Sequence, residues 1–125
     1  MEETRKSSRQ RLRECWHVLD SLSGSRVSMI VRPSVFEVED VGKDAVTVRS
    51  STGRMFSIPI TQVRGVLQHV FASSQISLHE TRVRYSKDHA EFIFGLVARL
   101  PGIRVLQCGL GLVLVLDQLQ TAMPA

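Results

Sequence analysis

The sequence predicts an α+β fold: an N-terminal helix, an antiparallel β-meander, then helices and a C-terminal β-hairpin. Three observations carry this. Residues 26–60 alternate apolar and polar side chains in short runs separated by turn residues, the pattern of strands with one wet face. Residues 86–100 place Ala90, Ile93, Phe94, Leu96, Val97 and Leu100 on one arc, the pattern of a helix laid on a core. Pro101-Gly102 then stops that helix, and two apolar runs follow.

The first element is an amphipathic helix over residues 4–22. Leu12, Cys15, Trp16, Leu19 and Leu22 form an apolar stripe that must be buried against something. Arg5, Arg9 and Arg13 recur every four residues as a separate cationic ridge, with Lys6 beside it. Such a ridge suits phosphate contact, although the solvated face of a packed helix is the commoner origin of this pattern. Ser23-Gly24 stops the helix.

The meander follows. Val27, Met29 and Val31 alternate before Pro33 interrupts them. In Val35–Val41, Phe36 and Val38 share one face, and Glu37 and Glu39 the other. Gly42-Lys43-Asp44 is turn chemistry, as is Ser51-Thr52-Gly53. Val46 and Val48 alternate with Thr47 and Arg49, and Phe56 and Ile58 point together before Pro59. The wet face carries Glu37, Glu39, Thr47, Arg49 and Ser57. Gly42-Lys43 is not a phosphate loop, because Glu37 and Asp44 stand where that motif needs Gly and Ser or Thr.

Thr61 predicts the N-cap of a helix over 62–72 with Val63, Val66, Leu67, Val70 and Phe71 on its buried stripe. Residues 72–75 read as a loop. Ser77 and Glu80 fit a capping box for a short helix at 78–84, which displays Arg82 and Arg84. Ser86 then caps the helix 86–100, with Asp88 and Glu91 in its first turns. Its opposite arc carries Asp88, Glu91, Gly95 and Arg99, with Phe92 pointing into it. Phe92 is either a ring covered by a neighbouring loop or an anchor for a partner. The runs 103–106 and 110–116 make the hairpin, and the second run, apolar on both faces, predicts a central strand.

A chain of 125 residues with 43% hydrophobic content supports one compact domain over 1–125. Residues 1–23 are its helix, 26–60 its meander and 61–117 its helical and hairpin unit, with a frayed tail at 118–125. No signal peptide or membrane span is expected. Cys15 and Cys108 lack metal-ligand spacing and suggest thiols in a reducing cytoplasm. The net charge is +4, and 13 of the 16 basic residues are Arg, which binds phosphate or carboxylate through paired donors. A coding bias toward Arg would give the same composition. Residues 61–104 hold net +3 of this charge.

His17, His69, His79 and His89 lie on separate elements, without the spacing of a metal site. No nucleophile elbow or triad signature occurs, so no enzyme, cofactor or metal is expected. An enzyme would need distant residues to assemble a pocket.

The order from residue 61 is helix, short extended piece, short helix, longer helix, hairpin. This resembles the winged-helix family in element order alone, over about half the chain. The resemblance implies either a protein-interaction version of that fold or contact with phosphates through Arg82, Arg84 and Lys87 with little sequence readout. The helix 86–100 presents Glu91, Phe92, Gly95 and Arg99, a poor set for reading bases.

The expected function is therefore a non-enzymatic nucleic-acid-binding or DNA-associated accessory protein. Its phosphate contacts would be Arg5, Lys6, Arg9, Arg13, Arg82, Arg84, Lys87 and Arg99. The alternative is a protein-interaction module, a subunit or adaptor that docks a partner or a second copy through Trp16 and Phe92.

Overall fold

The computed structural model describes residues 7–30, 33–109 and 111–117. The fold is α+β, as expected. Helix α1 spans Ser8–Asp20. Its entry is set by a reciprocal cap: the Gln10 N–H donates to Ser7 Oγ, and the Ser7 N–H to Gln10 Oε1, both at 3.1 Å. A cap of this kind is worth about 1 kcal/mol. The expected start at residue 4, with Arg5 and Lys6, lies outside the described residues. The apolar stripe forms as expected: Cys15, Leu19 and Leu22 are buried, and Leu12 and Trp16 pack against the core. Gly24 ends the segment at φ 85°.

Strands β1 (Arg26–Ser28), β2 (Val35–Val41), β3 (Ala45–Arg49) and β4 (Met55–Pro59) form a four-stranded antiparallel sheet in chain order. Val27, Phe36, Val38, Val46, Val48 and Ile58 are buried on one face. The other face carries Arg26, Glu37, Arg49 and Met55 as successive cross-strand neighbours. Its charges satisfy one another: Arg26 pairs with Glu37 at 3.5 Å, and Arg49 donates to Glu39 at 2.9 Å. That hydrogen bond raises the guanidinium pKa above its ordinary value. The first strand is shorter than expected; it ends at Ser28, and Val31 lies outside the described residues.

Helix α2 (Ile60–Ser73) begins directly after β4, ahead of the expected Thr61 cap. The side chain of Ile60 is buried, and its N–H donates to Asp44 O at 2.8 Å, so the helix is fixed before Thr61 is reached. It ends at Ser74, left-handed at φ 75°. Strand β5 (Gln75–Ser77) follows as the short extended piece expected between the two helices, starting at the last residue of the expected loop 72–75. Helix α3 (Leu78–Arg84) starts as predicted, with Ser77 Oγ accepting from the Glu80 N–H at 2.9 Å.

Helix α4 spans Ala90–Ala98, shorter than the expected 86–100. Ser86 caps the preceding turn instead, its Oγ accepting from the His89 N–H at 3.0 Å. Gly102, at φ 82°, completes the stop after Pro101. Strands β6 (Ile103–Cys108) and β7 (Gly111–Leu116) form the hairpin, and β7 is central in a three-stranded antiparallel sheet of order β5-β7-β6.

The buried residues of both sheets and of α1, α2 and α4 form one cluster. Helix α4 lies deepest, in contact with both β1 and β6. Ala90, Ile93, Phe94, Gly95, Leu96 and Val97 are all buried. Of the arc expected to face solvent, Asp88 and Arg99 are exposed and Glu91 and Phe92 half-buried, but Gly95 is covered. A Cβ on Gly95 would stand 3.0 Å from the Phe36 ring and 3.1 Å from Ser28 O. Gly95 is the contact through which the sheet approaches the helix, not a gap in a polar face. Among the described residues, no helix is long and apolar enough to cross a membrane.

Candidate functional site

The β3–β4 turn forms one wall of a groove. Ser50 and Arg54 close it, with Ser50 N–H donating to Arg54 O at 2.8 Å. Gly53 takes φ 90°, which a side chain would strain. The Ser50 and Thr52 hydroxyls are hydrogen-bonded to each other at 2.9 Å, and the Arg54 N–H donates to Ser50 Oγ at 3.3 Å. The turn is therefore held in place and presents three hydroxyl side chains, Ser50, Ser51 and Thr52.

The opposite wall comes from the end of α3, the turn after it and the first turn of α4. It supplies Arg82, Lys87, Asp88, Ala90 and Glu91. Between the walls lie aromatic rings. Phe92 packs on Phe36 at 5.1 Å and on Phe56 at 5.3 Å between centroids. Arg54 lies over the Phe56 ring at 5.4 Å. His89 meets Phe56 at 5.9 Å, and its buried Nδ1 has no hydrogen-bond partner among the described residues. The groove is half open to solvent, and its volume is about 360 Å³, at the small end of ligand pockets.

The charges do not cancel. Arg82 donates to Glu91 at 3.1 Å. Lys87 and Asp88 are both exposed at the lip, and Arg54 stands beyond them on the turn. Three cations and two carboxylates thus line the walls beside an apolar floor.

Of the residues expected from sequence, Arg82, Lys87 and Phe92 meet here. The others are dispersed. Arg84 pairs with Glu80 at 3.5 Å on the solvent face of α3. Arg99 donates to Arg26 O at 3.1 Å. Arg9 and Arg13 are exposed on α1, and Arg13 borders a shallow depression with His17 and Pro101. Arg5 and Lys6 lie outside the described residues. Trp16 is half-buried beneath Arg64, whose guanidinium lies 5.5 Å from the ring. Phe92 is packed against rings of its own chain.

Arg54, Ser50, Ser51, Thr52 and Phe56 were not singled out from sequence. Their turn was legible, but nothing in local spacing says that it reaches residues 82–92.

Other reactive groups are held elsewhere. Burial pushes the Cys15 thiol up to about 11, against a smaller opposing pull from Arg11, so it is no nucleophile near neutral pH. His69 Nδ1 shares a 2.9 Å hydrogen bond with Tyr85 OH, while Nε2 lies 3.6 Å from Glu80. Among the described residues, no group of three His, Cys, Asp or Glu is placed to hold a metal ion.

Comparisons with protein-family models, with curated proteins and with solved structures find no match.

Proposed function

We propose that this chain is a nucleic-acid-binding accessory protein that contacts phosphates through the cations of the groove. The observation that carries this reading is the convergence of Arg54, Arg82 and Lys87, from elements far apart in sequence, around an aromatic floor beside a hydroxyl-lined turn. Guanidinium and ammonium groups match phosphate oxygens, and hydroxyls add neutral donors. The order α2–β5–α3–α4–β6–β7, with β7 between β5 and β6, supports a winged-helix-like reading of the second half. Its helix α4, however, is packed under the first sheet, which disfavours reading bases from the major groove. Backbone contact is the mode that remains.

The test is fluorescence anisotropy of a labelled oligonucleotide titrated with the protein at low and at near-physiological salt. Three phosphate contacts predict a log–log salt slope of about −2 on a single strand. Arg54→Ala and Lys87→Ala should each weaken binding and flatten that slope by about 0.7. Absence of binding at low salt would refute the reading.

One observation favours a second reading, a protein-interaction module. Leu106 is 45% exposed and lies opposite half-buried Val113 on the outer face of the second sheet, with half-buried Val115 two residues further along β7. A partner or second copy docked there would change little with salt. Light scattering across a concentration series tests the homodimer form.

A further inference from the structure

We infer that the groove takes the base of an unpaired nucleotide, so that the ligand class is single-stranded nucleic acid or a strand opened at a bulge or end. This rests on the phosphate-binding reading above and deepens it. The volume of about 360 Å³ is on the scale of one nucleotide. The rings of Phe56 and Phe92 lie between the two walls, where a base reaches only when it is out of its stack. Arg54 lies over Phe56 as a second planar group on which a base can stack. Lys87 is exposed on the opposite wall, where a phosphate flanking that base would pass. The two carboxylates are placed differently. Glu91 is engaged by Arg82. Asp88 is exposed beside the rings, where it repels phosphate and accepts from the amino edge of a base. The buried α4 points the same way, since it removes the usual route into a duplex.

The experiment compares three probes of equal length on the intact chain: a labelled single-stranded oligodeoxynucleotide, its duplex, and a single strand with abasic sites that keeps every phosphate. The single strand should bind at least about tenfold more tightly than the abasic strand, because each stacked base contributes on this scale. The duplex should bind more weakly than the single strand. Two charge-matched variants then locate the site. Ser51→Asp adds a negative charge to the exposed groove wall and should weaken single-strand binding about fivefold or more. Ser57→Asp adds the same charge on the outer face of the first sheet and should change it less than twofold. Both positions are exposed, so neither change disturbs the core.

Equal affinity for the abasic and intact strands would overturn the base-binding inference while leaving phosphate contact standing. Equal loss in Ser51→Asp and Ser57→Asp would overturn the groove as the site. Failure of all three probes to bind at low salt would overturn both this inference and the function on which it rests.

Discussion

The rings of Phe36 and Phe92 stand at 88° with their centroids 5.1 Å apart. This edge-to-face contact joins strand β2 to helix α4 and makes the floor of the groove part of the structural core. Phe36 is buried and Phe92 half-buried, so the two substitutions should differ. Phe36→Ala should cost about 4 kcal/mol of stability and Phe92→Ala about 2 to 3. Urea unfolding of both variants, at unchanged m-value, checks the order.

A second close contact predicts a change of sign. A Cβ on Gly65 would stand 2.7 Å from the Tyr85 ring. That ring is also held by its hydroxyl at His69, so it does not swing away freely. Gly65→Ala should therefore destabilise the chain by about 1 to 2 kcal/mol, despite the better helix propensity of Ala. In a Tyr85→Ala background the same change should stabilise by about 0.5 to 1 kcal/mol. Thermal unfolding of the four chains closes the cycle.

The two thiols should separate cleanly. Cys108 is exposed and Cys15 buried. A thiol reagent at mildly alkaline pH should label Cys108 at once and Cys15 only after denaturant is added. Mass spectrometry of the singly labelled chain identifies the site.

Cys15 also predicts an alkaline loss of stability. Burial raises its pKa from 9.0 to about 11 in the folded chain, so between these values the folded state holds a proton that the unfolded state has released. Stability is then full below about pH 9 and falls as pH rises toward 11. Cys15→Ala, less stable overall for its lost volume, should show a shallower decline over that range. Denaturant midpoints measured across it decide the matter.

Ser7→Ala removes the acceptor for the Gln10 N–H but keeps the backbone N–H that donates to Gln10 Oε1. It should cost about 1 kcal/mol, and Ser7→Asp should recover most of it. Loss of helical ellipticity on mild heating is the readout.

What was legible in the sequence is what repeats locally. The stripe through Cys15 and Leu19 and the alternation from Val35 to Ile58 report burial at a period that each element sets for itself. The hairpin of β6 and β7 was visible because Pro101-Gly102 and the turn near Gly109 bracket two apolar runs. The Ser7–Gln10 cap was missed because the polar residues before it continue the helical pattern. Strand β5 is three residues long, too short for a period, and exists through its pairing with β7. The burial of Gly95 was illegible because a glycine there reads as weak helix rather than as room for Phe36. The groove joins residues 50–56 to residues 82–92, a proximity that only tertiary packing creates.

Helix α4, enclosed by both sheets and its neighbouring helices, has few routes by which water can reach its amides. Those of residues 93–97 should exchange with deuterium only when the whole fold opens. Their exchange rate then measures global stability directly, whereas the amides of the Ser50–Arg54 turn report only local opening. A ligand held between the two would couple them, slowing exchange in the turn while the interior of α4 registers the gain as added resistance to complete unfolding.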